Sequence, residues 1–503
     1  MHFDECAVSM SSVTLRTMTR HMTGIHRSLL VGVALVAGVT LLACSGASKR
    51  AGPDSGAQLQ GPLSHNGRWF TDTAGRVVML HGFNDVAKLT PFYPAAFGFG
   101  ADDAQFLAAN GFNVLRLGVN LEGLMPEPGV VDTAYIEHLV ETVDELARTG
   151  TFVVLDFHQD GYAPIFNGNG FPNWMAITDG ERNPPDAKFP LYYVQNPAMQ
   201  RAFEHFWANS PGPDGVGLQD AFMKGLEQVV RRFAGNPWVL GYEAMNEPWP
   251  GADWVRCTTA AGCPDLEATL LAPFYQQAIA VVRRLDERQF LLVEPFVLFN
   301  FGRSATSLPG FADSQVALAF HSYALDQTGE QGVVRQALDA AERQGVPVFA
   351  TEFGATLDPA TLDRLASQLD GGLVPWIEWA YNGMIADATQ PAGLENLRNR
   401  DAFTALVRPF PVLVNGTPTT LVFDPATTVF DFGYSTLRPD GQRSPTQLLT
   451  TVSVPPLRYP QGYSASVQGA RVISSLCAPM LLLRNEPGAE SVSVHIEPSQ
   501  KCE

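Results

Sequence analysis

A (β/α)8 barrel of the TIM type, followed by a small C-terminal β-sandwich, is the fold this sequence predicts. Three observations carry that reading. Between residues 62 and 407, short apolar runs alternate with amphipathic helical stretches, as in a parallel sheet whose strands are joined by helices. Eight such runs occur, each nearly continuous in apolar residues, as befits strands buried on both faces. Past Arg408 the helical period stops, and residues 408–503 read as short strands separated by Gly, Pro and Asn turns.

The elements follow in chain order. Residues 1–43 read as an export signal, in which Arg16, Arg20 and Arg27 precede an apolar run from Leu29 to Leu42 that is too short for a membrane span. The run ends at Leu41-Leu42-Ala43-Cys44-Ser45-Gly46. That stretch resembles a bacterial lipoprotein cleavage box, whose cysteine, here Cys44, becomes the lipidated first residue. A plain secretory signal is the alternative, and a start at Met18 or Met22 would shorten the basic region. Residues 44–61 are rich in Gly, Ser, Ala and Pro, as a flexible tether should be. The protein is therefore expected outside the cytoplasm, as an envelope lipoprotein or a secreted protein, with Cys44 as its means of membrane anchoring.

The eight strands are expected over residues 77–83, 114–119, 152–157, 239–245, 290–293, 316–320, 348–351 and 375–379. Pro347 stands just before the seventh, where a missing N–H is tolerated. Residues 132–150 illustrate the helices between them: Ile136, Leu139, Val140, Val143, Leu146 and Ala147 recur at helical spacing, with Asp132 as N-cap and Gly150 just past the end. Residues 219–233, 266–285 and 333–344 repeat the pattern. An open doubly wound sheet is the competing architecture, but it predicts a glycine-rich phosphate turn after an early strand, and this sequence has none. In the sandwich, Phe430, Phe432 and Tyr434 alternate with other residues, as do Val492, Val494 and Ile496.

The formal net charge of −18 would repel phosphate backbones and anionic headgroups, which argues against a nucleic-acid partner and for a neutral substrate. Past the leader lie Cys44, Cys257, Cys263, Cys477 and Cys502. With Cys44 acylated, an even set remains. Cys257–Cys263 and Cys477–Cys502 are the close pairs expected as disulfides in an oxidising compartment, although spacing alone leaves the connectivity open. No CxxC or His-rich zinc cluster is present.

Polar residues gather at the C-terminal ends of the expected strands, where this barrel class carries its active sites. The first ends in His81-Gly82-Phe83-Asn84, the second contains Arg116, and the third ends in Asp156-Phe157-His158-Gln159-Asp160. The fourth runs into Asn246-Glu247-Pro248-Trp249, the sixth into His321-Ser322-Tyr323, the seventh into Glu352-Phe353-Gly354 and the eighth into Trp376-Ile377-Glu378-Trp379. Glu247 and Glu352 should therefore project into one cleft. Cleaving a glycosidic bond requires one protonated carboxyl to assist the leaving oxygen and one ionised carboxylate to attack the anomeric carbon. Arg116 is expected to hold Glu352 ionised, and burial near Trp249 together with the nearby negative charge of Glu352 to keep Glu247 protonated. Tyr323 is a candidate donor to Glu352, Asn246 a partner for the sugar 2-hydroxyl, and Trp379 a stacking floor. Taken singly, each has a structural explanation: a strand-end glutamate is more often ion-paired than catalytic, and a lone interior histidine such as His158 is more often packed than reactive. Glu243, Glu294 and Glu378 compete for attention, Glu243 as a salt-bridge partner inside its strand.

With those residues in view, the sequence resembles glycoside hydrolase family 5. Asn246-Glu247-Pro248 matches the family's acid/base motif and Glu352-Phe353-Gly354 its nucleophile motif, while Arg116, His158, His321 or Tyr323, and Trp379 stand where its other site residues are expected. Within the family, the sequence is most similar to the endoglycoceramidases, which release intact glycans from glycosphingolipids. Supporting segments are Lys88 after the first strand, Gly170-Phe171-Pro172-Asn173-Trp174, Cys257 with Gly262-Cys263, and Tyr459-Pro460-Gln461-Gly462-Tyr463. The resemblance implies that Lys88 and Asp160 contact the sugar next to the scissile bond. Val86-Ala87 departs from the pattern, which leaves the preferred glycan open. Phe92, Tyr93, Phe97 and Phe99, with Phe166, Phe171 and Trp174, are candidates for an apolar rim around the cleft or for packing of the loops onto the barrel. The expected reaction is retaining hydrolysis of a glycosphingolipid or other β-glycoside, with no metal or organic cofactor implied. A β-glucanase or β-glucosidase acting on soluble substrates, and a non-catalytic carbohydrate-binding lipoprotein, are the alternatives.

Overall fold

The computed structural model describes residues 59–500. The expected leader, the lipidation site Cys44, most of the tether and Cys502 lie outside them. Eight parallel strands close a barrel in chain order: β1 (His81–Asp85), β2 (Val114–Asn120), β3 (Phe152–His158), β4 (Val239–Glu243), β5 (Phe290–Val293), β6 (Val316–Ser322), β7 (Val348–Phe353) and β8 (Trp376–Glu378). The helix Thr133–Arg148 shows why the crossovers form where they do. Asp132 Oδ1 accepts from the amides of Ala134 and Tyr135, Ile136, Leu139, Val143 and Leu146 face the core, and Gly150 adopts φ 78° just past the end.

One expected strand divides in two. Residues 77–83 were expected as a single barrel strand, but only His81–Asp85 enters the barrel. Val77–Val78 pairs instead with Phe410–Val414, Val78 opposite Leu413 and Val77 opposite Val414. This pairing also moves the expected domain boundary. Ser64–Asn66, Trp69–Thr71 and Val77–Val78 form one edge of a seven-stranded sheet otherwise built from the C-terminal part of the chain. The cause is a second hydrophobic core under the barrel floor, where Phe70, Val77, Val78 and Leu80 pack with Val154, Phe290, Ala317 and Phe349 from the barrel strands and with Phe410 and Val412. Phe70 meets Phe290 edge-on at 5.1 Å and Phe349 at 5.8 Å, closing the floor of the barrel.

The expected sandwich is present. A four-stranded sheet made of Thr417–Asp424, Val429–Ser435, Ser491–Pro498 and Tyr463–Gln468 accompanies the seven-stranded one. Phe430, Phe432 and Tyr434 lie opposite Ile496, Val494 and Val492, and all six side chains are buried, as the period-two pattern requires.

Candidate active site

Arg116 on β2 is fully buried and organises the mouth of the barrel. Its Nε donates to Glu243 Oε2 at 2.7 Å, Nη1 to Asn84 Oδ1 at 3.0 Å and to Glu352 Oε1 at 2.5 Å, and Nη2 to Asn246 Oδ1 at 2.8 Å. Asp156 Oδ1 lies 3.0 Å from Nη2. Burial alone would lower the guanidinium pKa, but Asp156, Glu243, Glu352 and Glu294 together hold it well above the ordinary value. This is the cation expected beside Glu352.

Glu352 reaches Arg116 because β7 carries a register shift between Ala350 and Glu352. The extra residue lets neighbouring side chains both point inward: Thr351 Oγ1 donates to Glu243 Oε1 at 3.0 Å while Glu352 meets Arg116. Glu247 lies beyond the end of β4 at φ 42°, a left-handed conformation that strains a non-glycine residue. Gln159 supports that turn, its Nε2 donating to the carbonyls of Asn246 and Glu247 at 2.9 and 3.0 Å. A carboxylate oxygen of Glu247 and one of Glu352 lie within 4.8 Å of each other, and a ring nitrogen of His321 lies within that distance of both. His321 Nδ1 is 2.8 Å from Glu247 Oε1 and 3.5 Å from Glu352 Oε2. The Tyr323 hydroxyl donates to Glu352 Oε2 at 2.8 Å. Burial, then the charges of Glu352 and Glu247, push that phenol well above its usual range and keep it a donor. His321 and Tyr323 thus both belong to the site, one on each carboxylate. Because Arg116 has only protons to offer, Asn246 Oδ1 must face it. Nδ2 is left to donate to the Gln159 carbonyl at 3.0 Å, with one N–H to spare.

A second chain of charges borders the site. His158 Nδ1 lies 2.7 Å from Asp156 Oδ2 and Nε2 lies 3.2 Å from Asp160 Oδ2, which also pairs with Lys88 Nζ at 2.5 Å. Burial opposes the charged ring, yet Asp160 and Asp156 raise its pKa to about 9. Burial likewise works against the Asp160 anion, and Lys88 and His158 nonetheless hold its carboxyl well below the usual range. Trp379 completes this wall, with Lys88 Nζ 4.2 Å above its ring and His158 stacked at 5.3 Å. Trp379 keeps the alternation of β8: Ile377 points into the barrel, Glu378 points out beside Leu362, and Trp379, bridged to Gly354, points in again and faces the cleft half-buried. Glu378 is fully buried, and burial alone pushes its pKa well above the ordinary value.

The surroundings of Glu247 and of the loops complete the site. Trp249 stacks on Trp254 and packs against Tyr193, and the groups that hydrogen-bond the Glu247 carboxylate are His321 and Asn300. Phe92, Phe99, Phe166 and Phe171 are buried, and Tyr93, Phe97 and Trp174 partly so. They pack the loops onto the barrel because long loops need a core of their own. Apolar side chains that do stand exposed on the loops after the strands include Leu89, Ile165, Phe189, Leu191 and Leu325. Asn300 lies in the 3-10 turn Val297–Phe301, beyond the end of β5, and carries no strand-end signal in the sequence.

Among the described residues, two carboxylate–histidine sets have metal-like spacing, Glu243–Glu294–His321 and Glu247–His321–Glu352. In each set Arg116 already pairs with one carboxylate, Glu243 in the first and Glu352 in the second, so a cation would have to share that oxygen-bearing group with a guanidinium. Cys257 and Cys263 form the expected disulfide, and Cys477 is disulfide-bonded as well.

Comparison with known proteins agrees with this geometry. Residues 78–384 match the cellulase model of glycosyl hydrolase family 5, and residues 408–496 match the glycoside hydrolase family 5 C-terminal domain. Endoglycoceramidase I of Rhodococcus hoagii (strain 103S) is 31% identical over 457 residues, covering 86% of this chain and 85% of its own. An endoglycoceramidase of Hydra vulgaris is 27% identical over 395 residues, covering 73% and 76%. Among solved structures, endo-glycoceramidase II from Rhodococcus sp. in a cellobiose-like imidazole complex superposes with a TM-score of 0.70 at 25% identity, covering 85% of this chain and 99% of the other. The barrel, its paired carboxylates and the trailing sandwich therefore have one family in common, and the chain belongs to glycoside hydrolase family 5.

Proposed function

We propose that the protein is a retaining endo-β-glycosidase that separates the intact glycan of a glycosphingolipid from its ceramide. The observation that carries this reading is the approach of Glu247 and Glu352 to within 4.8 Å, a separation suited to direct attack and too short to seat a water between carboxylate and sugar. Glu352, held by Arg116 and Tyr323, attacks the anomeric carbon as the carboxylate. The bond to the ceramide oxygen breaks, and the Glu247 proton goes to that oxygen. Glu247, now ionised, takes a proton from water. The water oxygen bonds the anomeric carbon, Glu352 leaves, and the configuration is retained overall. The spare N–H of Asn246 is available to the sugar 2-hydroxyl, and Lys88, Asp160 and His158 to the sugar beside the scissile bond, with Trp379 beneath.

Ceramide as the aglycone is favoured by the likeness to endoglycoceramidases along most of both chains. Incubation with defined gangliosides and neutral glycosphingolipids, followed by mass analysis, tests it. Free ceramide plus an undivided oligosaccharide is expected; cleavage of soluble β-glucans with glycolipids left intact would reject it. Export with lipidation at Cys44 is part of the same proposal and is supported by the leader and by the Cys257–Cys263 disulfide. Palmitate labelling that is lost in Cys44→Ser is its test.

A further inference from the structure

Asn300 is almost fully buried and lies in the turn Val297–Phe301 beyond β5. Its own position is fixed twice. Its carbonyl accepts from the Tyr323 amide at 3.0 Å, and its side-chain Oδ1 accepts from the His321 amide at 3.2 Å. With Oδ1 committed to an N–H, the amide cannot flip, and Nδ2 must face Glu247 Oε1, to which it donates at 3.0 Å. His321 Nδ1 meets the same oxygen at 2.8 Å. Among the described residues no hydrogen bond reaches Glu247 Oε2. The two oxygens of one carboxyl group are therefore unequal: Oε1 is saturated by two neighbours, and Oε2 is free.

We infer that Asn300 is a positioning residue for the glycosidic reaction, which occupies Oε1 of Glu247 so that the proton given to the leaving oxygen is carried on Oε2. Asn300 touches no reacting atom. It acts through Glu247, and through His321, whose backbone it holds. The inference rests on the reading of Glu247 as the acid. Its distinctive consequence concerns the leaving group. A phenol so acidic that it departs unassisted needs no proton, whereas a poor leaving group depends on that proton fully.

The deciding variant is Asn300→Asp. It preserves shape and the acceptor for the His321 amide but places an oxygen where Nδ2 stands, which draws the shared proton to Oε1. Asn300→Ala removes the donor altogether. Kinetics on 2,4-dinitrophenyl β-lactoside and phenyl β-lactoside read the effect. For both variants kcat/KM on the phenyl substrate should fall about 10- to 100-fold, the worth of a hydrogen bond to a charged group, while kcat/KM on the dinitrophenyl substrate stays within about threefold. The dinitrophenyl rate also reports that each variant is folded. Equal losses on both substrates, or no loss on either, overturn the inference. Glu247→Ala, run alongside, separates the two levels. If it fails to show the same split, the acid assignment itself is wrong; if it shows the split and the Asn300 variants do not, only the role of Asn300 is.

Discussion

Two carboxyl pairs sit one above the other in this barrel and share a histidine. The lower pair, Glu243 and Glu294, is sealed: both side chains are essentially inaccessible, and burial followed by the Glu243 charge raises the Glu294 pKa well above normal. Burial opposes the Glu243 anion too, but Arg116 and the hydrogen bond from Glu294 hold its pKa below the ordinary value. The upper pair, Glu247 and Glu352, keeps side-chain exposures of 10% and 6%, enough to meet a ligand entering the cleft. His321 faces both, Nδ1 towards Glu247 at 2.8 Å and Nε2 towards Glu294 at 3.5 Å. The same residue types at the same spacing make a structural brace in one layer and candidate chemistry in the next. Access and backbone strain distinguish them, not composition.

The sharpest break is Glu352→Ala. It should lower turnover by about 10⁴-fold or more, as loss of a nucleophile does, while sugar binding measured by calorimetry persists. Retained activity would mean that the upper pair is no more catalytic than the lower. Next comes Arg116→Met, which leaves buried carboxylates in both layers without their cation. Unfolding in denaturant should reveal a loss of about 3–5 kcal/mol. A loss below about 1 kcal/mol would show that the brace does not depend on Arg116.

A smaller effect is expected at the border of the upper layer. The folded pKa of His158, about 9, lies above its ordinary 6.5. Its stabilisation is complete below about pH 6.5 and fades as pH rises through about 9, by an amount on the order of 1–3 kcal/mol. Thermal melts across that window should show the decline in the parent and a flatter profile in His158→Gln. Smallest of all is Glu294→Gln. Because burial and the Glu243 charge favour the neutral form of Glu294, the amide should change stability by no more than about 1 kcal/mol, and a larger loss in denaturant melts would count against that direction.

The upper layer is legible in the sequence because a barrel converts sequence adjacency to a strand's C-terminus into spatial convergence. Asn246, Glu247, His321, Tyr323, Glu352 and Trp379 all stand at such ends, and they meet around one cleft with Arg116, which projects inward from the middle of β2. Asn300 escaped because its turn is not continuous with a strand, and nothing in its neighbours' polarity marks it. The division of residues 77–83 escaped for a different reason: an apolar run reveals that a strand is buried but not which sheet receives it. The loop aromatics show the same limit. Phe166 and Phe171 are as hydrophobic facing inward as outward, so sequence can identify the material of a rim without deciding which side it faces.

The hairpin carrying Phe70 makes the two matched regions inseparable by scissors. A cut at residue 408 would strip the strand Val77–Val78 of its partner Phe410–Val414 and bare the aliphatic underside of the barrel to water. What looks like a modular appendage is the lid of the closed end, and a shortened version for engineering should keep both termini of the catalytic unit together.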